Sequence, residues 1–345
     1  MSKRSLFNLS ANLCLLVLLL VPFTVSGCAA SETSSIPQEE TASAPNEAAQ
    51  PKVDATQLLA NLRTLSDDSF EGRKTGTAGN QRARDYIVQA FEKHGLQPFD
   101  SSFIQPFSFF SREDNKEYRG ANVVGYTEGA SDPDHCIVVT AHYDHLGVIN
   151  GQIYNGADDN ASGTAALFAV ADYFSKHRPD NSVILVATDA EELGEEGSKA
   201  FVAHPPVSRD AIVVNVNLDM ISHDDQNKLY VAGTYQYPFL KPYVEEAGKD
   251  GRVELVFGLD RPYPREQDWT YRSDNASFHA ANIPFLYFLV GEHKDYHKPT
   301  DDFETIDQDF YVGAVEVAVD VIRELDQNLP AIAAQQREHL SAQRS

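Results

Sequence analysis

Two histidines and a set of carboxylates stand where apolar runs give way to polar residues. Ile137-Val138-Val139-Thr140 leads into Ala141-His142-Tyr143-Asp144-His145, Ile184 to Thr188 into Asp189-Ala190-Glu191-Glu192, and Val213 to Asn217 into Leu218-Asp219-Met220. Between the first two lies Asn155-Gly156-Ala157-Asp158-Asp159-Asn160-Ala161-Ser162-Gly163, and Asp295-Tyr296-His297-Lys298-Pro299-Thr300-Asp301-Asp302 follows the apolar run Pro284 to Val290. His142, Asp158, Glu192, Asp219 and His297 together offer two imidazoles and three carboxylates, donor types that zinc accepts. One carboxylate bridging a pair of ions leaves each ion two terminal protein ligands and a shared hydroxide; ions about 3.5 to 4 Å apart then polarise a carbonyl and generate the nucleophile together. Taken singly the residues say less. The 155–163 loop alone reads first as a helix N-cap, and Glu191, Glu192, Glu195 and Glu196 could be a solvated charge run, a description we keep for Glu195 and Glu196. At a strand exit Glu191 and Glu192 diverge, one toward a metal and its neighbour toward the attacking water, which a general base must reach within about 2.6 to 3.2 Å.

The elements that must position these residues are legible as period. Helical spacing covers Ala55 to Ser66, Gly79 to His94, Ser162 to His177, Glu196 to Ala203, Pro238 to Lys249 and Gln308 to Leu325; short β-branched runs cover Ala121 to Thr127, Cys136 to Ala141, Val183 to Thr188, Ala211 to Leu218, Lys228 to Ala232, Val253 to Phe257 and Pro284 to Val290. Alternating helices and strands predict an α/β fold, and several strands that are apolar throughout predict a sheet covered by helices on both faces. In open α/β sheets, ligands bind outside the carboxyl ends of the strands, so three strands would deliver His or carboxylate to one rim.

With these motifs in order, the chain resembles peptidase family twenty-eight of the metallopeptidases, the co-catalytic dizinc aminopeptidases. The likeness extends over nearly all the chain after the spacer, including Phe70-Glu71-Gly72-Arg73 and Gly76-Thr77-Ala78-Gly79. It implies a three-layer sandwich with a mostly parallel or mixed twisted sheet over residues 53–330; residues 331–345 read as a polar C-terminal tail. It implies two zinc ions per chain, one held by His142 and Asp219, the other by Glu192 and His297, with Asp158 bridging, Glu191 as general base and Asp144 supporting the ligand His142. A cis peptide between Asp158 and Asp159 is expected on the same ground. Tyr296 matches a family position that hydrogen-bonds the tetrahedral intermediate, though a packing tyrosine is an equal reading. His145 belongs to the motif loop as an orienting group, while His223, His279 and His293 have no motif behind them. Ser273-Asp274 resembles a family segment near the substrate pocket, with Asn275 where the family often has His; Trp269 and the 262–272 loop would shape that pocket.

The activity implied is removal of N-terminal residues from peptides with a free α-amino group. Two rivals remain: glutaminyl cyclase-like or carboxypeptidase chemistry on the same fold, and a non-catalytic surface binding protein. Cyclases of this kind carry Trp beside the last ligand histidine, where this chain has Tyr296. Neither a Gly-x-Ser-x-Gly elbow nor a His-Glu-x-x-His helix is present.

Composition limits the remaining classes. In 345 residues, 28 Lys and Arg against 51 Asp and Glu leave a formal charge of −23, the wrong balance for a nucleic-acid binder. Three Cys are too few for a disulfide framework or a cysteine zinc module, so a metal must sit on His and carboxylates. Residues 1–27, with Lys3 and Arg4 ahead of Leu13 to Val21, read as a signal peptide. Val25-Ser26-Gly27-Cys28 resembles a lipobox, which implies a lipid on Cys28 and attachment to a bacterial membrane on an exported face; an ordinary secretory signal is the alternative. Residues 28–52 read as a flexible acidic spacer. Cys136, in an apolar run, reads as a buried small hydrophobe.

Overall fold

Leu58, Leu62 and Leu65 recur at helical spacing behind Asp54, whose carboxylate accepts the Gln57 amide at 3.0 Å and so starts the first helix. The second helix starts in the same way, with the Thr77 hydroxyl oxygen accepting the Asn80 amide and Ala83, Ile87 and Phe91 turned inward. The computed structural model describes residues 52–112, 114–262 and 268–343, so the expected signal peptide, Cys28, nearly all of the expected spacer, and the 263–267 part of the expected pocket loop lie outside the described residues. In chain order the main elements are α1 (Ala55–Leu65), α2 (Ala78–Lys93), β1 (Gln97–Pro98), β2 (Ile104–Ser111), β3 (Lys116–Thr127), β4 (Asp132–His142), β5 (Gly147–Ile149), β6 (Gln152–Tyr154), α3 (Gly163–Lys176), β7 (Asn181–Thr188), α4 (Glu196–Ala203), β8 (Ile212–Leu218), β9 (Lys228–Ala232), α5 (Lys241–Ala247), β10 (Glu254–Phe257), α6 (Asn275–Ala280), β11 (Phe285–Leu289) and α7 (Gln308–Gln343).

Nine strands form one mixed sheet in the order β1-β3-β7-β4-β8-β11-β9-β10, with β2 paired to β3; β5 and β6 make a separate hairpin. Its centre is parallel. Val138 of β4 stands beside Ile184 of β7 and Asn215 of β8, and Tyr287 of β11 beside Asn217, so β7, β4, β8 and β11 all end on one edge. The antiparallel strands β3 and β9 flank this block.

Alternation along β4 and β7 sorts the core into two layers. Ile137, Val139, Ala141, Val183 and Leu185 pack with α1, α2, α3, α5 and α7, whereas Cys136, Val138, Ile184 and Val186 pack with Phe201 and Val202 of α4 and Phe278 of α6. Apolar side chains on both faces of the same strands are what a helix-covered sheet requires, and the three-layer expectation holds. Cys136 is buried, its thiol pushed up to about 12 by that burial.

Two differences from the sequence reading have physical causes. Strand β2 is absent from the expected set because its half-buried Phe107 and Phe109 alternate with exposed Pro106, Ser108 and Phe110 at a sheet edge rather than forming an apolar run. Helix α7 continues past Leu325 to Gln343 with Pro330 inside it, so residues 331–343 are helix rather than tail; Leu329, Ile332 and Ala333 stay buried and carry the apolar stripe onward. Among the described residues no helix is long and apolar enough to cross a membrane.

Candidate active site

The carboxyl ends of β4, β7 and β8 and the loop after β11 bring the candidate residues together. His142 closes β4. Its Nδ1 donates to the Asp144 carbonyl at 3.1 Å, which leaves the Nε2 lone pair facing Asp219 Oδ1 at 3.2 Å and Asp159 Oδ1 at 3.4 Å. The other oxygen of Asp159 lies 3.0 Å from His297 Nε2, and His297 is also 3.5 Å from Glu192 Oε2. Asp159 therefore places one oxygen toward each half of the cluster, with His142 and Asp219 on one side and Glu192 and His297 on the other. Carboxylates this close to one another suit divalent cations, and the donor set fits a pair of zinc ions.

The bridging position is thus one residue later than expected. Asp158 is fully buried but turned away: its Oδ1 accepts the Ser222 amide at 2.7 Å and the Ser222 hydroxyl at 2.8 Å, and its Oδ2 accepts His293 Nε2 at 3.0 Å. The cis peptide is displaced in step, to Asp159-Asn160. An Asp-Asp doublet identifies the loop by type; which side chain faces the cluster depends on the backbone path.

That path is held from several directions. Asp301 accepts the amides of Asp158 at 2.9 Å and Asp159 at 3.1 Å. Asn160 donates to the Leu218 carbonyl and accepts the amides of Gly163 and Met220. Gly156 sits at φ +57°, where a Cβ would lie 2.0 Å from the Asp159 carbonyl oxygen, so only glycine fits. Arg73, fully buried, donates to the carbonyls of Leu65, Tyr143, Asn155 and Gly156 at 2.5 to 2.9 Å, tying the turn after His142 to the start of the aspartate loop. Burial lowers its guanidinium to about 10, against the pull of Asp159, Asp301, Asp144 and Glu192. Neither Arg73 nor Asp301 was given a role in the sequence reading; Arg73 stood in a quoted motif, and Asp301 lies four residues after His297.

Asp144 has a task beyond the expected support of His142. Its carbonyl accepts the imidazole, while its carboxylate accepts the amides of Glu191 at 3.1 Å and Glu192 at 3.3 Å and stays 3.7 Å from His142 Nδ1. It positions the glutamate turn after β7. Within that turn His145 Nδ1 lies 2.6 Å from Glu192 Oε1, which leaves Oε2 toward His297. Asp219 is fixed through its second oxygen, which accepts the Ser273 hydroxyl at 2.7 Å. Ala190, Met220 and His297 adopt left-handed φ of +62°, +57° and +54° without being glycine, each at or beside a site residue. Such conformations persist where surrounding contacts over-determine them.

The electrostatics separate the carboxyls. Burial works to raise Asp159, and the imidazoles of His145, His142 and His297 overcome it, holding the group well below the usual carboxylate range. Glu191 goes the other way: burial raises it well above its ordinary value, with Glu192, Asp219 and Asp274 adding and His142 opposing. A bridging ligand held ionised next to a carboxyl inclined to hold a proton is the division that acid–base chemistry uses. Tyr296 stacks on His297 with ring centroids 3.9 Å apart, and its phenol is raised by burial. Asp274 is buried with its Oδ2 on the Thr188 hydroxyl at 2.5 Å and is raised to about 6 by that burial; Trp269 is buried on the same connection.

Residues 122–322 match the model of Peptidase family M28. Aminopeptidase YwaD of Bacillus subtilis (strain 168) is 29% identical over 206 residues, covering 54% of this chain and 41% of that protein. Leupeptin-inactivating enzyme 1 of Streptomyces exfoliatus is 27% identical over 246 residues, 70% of this chain and 50% of that protein. The chain spans about half or less of the length of these curated relatives. Among solved structures, the zinc aminopeptidase BSAP of Bacillus subtilis superposes with a TM-score of 0.63 at 17% identity, covering 78% of this chain and 94% of that one. Glutaminyl cyclase of Bacteroides thetaiotaomicron superposes equally well at 0.63 and 19% identity, over 79% and 98% of the two chains. At these identities the superpositions establish a shared fold.

Proposed function

The chain belongs to Peptidase family M28, and from that premise we propose that it is a zinc-dependent aminopeptidase, releasing N-terminal residues from peptides. The observation that carries this reading is Asp159, whose two oxygens face His142 and His297 separately. His142 and Asp219 would hold one zinc ion, Glu192 and His297 the other, and Asp159 both. Bound there, the ions supply Lewis acidity toward the substrate carbonyl and lower the pKa of water. The protein's own groups do the rest. His142 keeps its lone pair on the site because its other nitrogen is committed to a carbonyl. Asp144 aims the Glu191-Glu192 turn through two amides. Glu191 takes a proton from the attacking water as the C–O bond forms and returns it to the amine nitrogen as the C–N bond breaks, a role its raised affinity for protons suits. The cluster's excess of carboxylates favours a substrate's charged α-amino group, which confines cleavage to chain ends.

The test is a mixed peptide library incubated with zinc-loaded protein and read by mass spectrometry. Stepwise loss of N-terminal residues, with N-acetylated peptides left intact, is expected. Cyclisation of Gln-initiated peptides or release from the carboxyl end would transfer the site to one of its rivals; Tyr296 in place of the cyclase-type Trp supports the peptidase reading.

For location, the proposal is export and attachment to a bacterial membrane through a lipid on Cys28. It is supported by the Lys3-Arg4 start, the apolar Leu13 to Val21 run and the Val25-Ser26-Gly27-Cys28 sequence. Radiolabelled palmitate entering the wild-type chain but not Cys28→Ser is the expected result, and equal labelling of both would refute it.

A further inference from the structure

A second group of metal-ligating side chains lies outside the site just described. His223, on the loop that follows Asp219, and His293 and Asp295, on the loop that leads to His297, each offer a ligand atom, and the three atoms fall within 4.8 Å of one another. The two imidazoles are stacked, with centroids 4.1 Å apart and planes 10° from parallel. His223 is 8% exposed and Asp295 7%, yet His223 Nδ1 and Asp295 Oδ2 have no hydrogen-bond partner among the described residues. Leaving a buried polar atom unpaired is costly, so two such atoms in one group of ligand residues point to a missing shared partner.

The third residue is prepared by its surroundings. Asp158 Oδ2 can only accept, so His293 Nε2 carries the proton in their 3.0 Å contact. His293 Nδ1 is then the bare nitrogen, and it accepts only a long 3.3 Å bond from the Asp295 amide. A carboxylate holding the far nitrogen of an imidazole is the arrangement that orients metal-binding histidines. Asp295 is set in the same manner, with Oδ1 accepting the Thr300 hydroxyl at 2.7 Å and Oδ2 left over.

We propose that His223, His293 and Asp295 form a third, structural metal site for a borderline divalent cation of the zinc type, oriented by Asp158. Two nitrogen donors and one carboxylate match zinc in type, with water as a fourth ligand, and His223 turns out of its stack on His293 so that both lone pairs meet one ion. The ion joins the loop after Asp219 to the loop before His297, two segments that deliver residues to the catalytic cluster from different strands. It also gives Asp158 a purpose: turned from the bridging position, this carboxylate holds His293. The site does not depend on the peptidase reading, because none of its three ligands belongs to the Asp159 cluster.

The experiment compares metal content by inductively coupled plasma mass spectrometry in the full chain and in His223→Ala, each stripped with chelator, reloaded with zinc and gel-filtered in metal-free buffer. His223→Gln, which retains more of the side-chain volume, serves if the alanine variant does not fold. The expected result is one zinc equivalent fewer in the variant, whatever the wild-type total, together with a smaller zinc-induced rise in Tm. A dizinc centre that failed to form would lower both totals alike and leave the difference of one. Equal zinc content in wild type and a folded variant overturns the proposal.

Discussion

Asp158 and Asp159 are neighbours with the same side chain, and the structure gives them opposite tasks. Asp159 lies between two imidazoles that keep it ionised, so Asp159→Asn, which removes one anionic oxygen and presents an amide to a histidine, is expected to lose at least one zinc equivalent and about 10²-fold or more in activity. Asp158→Asn should keep the catalytic pair and instead lose about 1–3 kcal/mol of stability, because Oδ1 and Oδ2 accept from Ser222 and His293. Metal analysis and denaturant unfolding of the two variants read the contrast directly; the reverse pattern would restore the bridge to Asp158. Glu191 is tested apart from metal binding. Glu191→Ala should retain its zinc while kcat falls by about 10² to 10⁴, the usual worth of a positioned general base, and undiminished kcat would remove the assignment.

At the scale of elements, the rim works because buried groups outside the ligand set hold its loops. Arg73 reaches four carbonyls from three segments, so Arg73→Met leaves acceptors unpaired across all of them and should cost at least about 3 kcal/mol by chemical denaturation, with reduced zinc affinity in whatever remains folded. Unchanged stability would show that water replaces the guanidinium. The same contrast explains what could be read in advance. Strands β4, β7, β8 and β11 are visible as mostly apolar runs because both their faces are buried, and the residues at their ends are fixed by where each run stops. Edge strand β2 and the short β5–β6 hairpin have exposed faces and no such signal. The loop residues were found by type, yet the orientation of Asp158 and Asp159 and the clamps from Arg73 and Asp301 arise from chain segments as much as 143 residues apart, which no local pattern encodes. The Glu192–His145 contact was hidden in the same way, since the ring that steers the glutamate comes from another strand end.

Across the whole molecule, a chain of net charge −23 gathers several carboxylates in its interior, and its metal-free form should record that in its pH dependence. Asp301 is the clearest case: burial and the nearby Asp158 raise it from the ordinary 3.8 to about 7, although the amides of Asp158 and Asp159 work to lower it. The folded chain therefore holds this proton over a range in which the unfolded chain has released it. Stability from the protonated group is fully present below about pH 4 and is lost as the pH climbs through about 7. Asp301→Asn removes the titration. The stability of the wild type relative to this variant, measured by urea unfolding in EDTA, should thus be greatest near pH 4 and decline steadily toward pH 7. A difference that stayed flat, or grew with pH, would mean that Asp301 is ionised in the folded chain without help from metal. Zinc should reverse part of this trend, because cations beside Asp159 favour ionised carboxyls around them, so the loaded protein is expected to gain most from metal at neutral pH and least near pH 5.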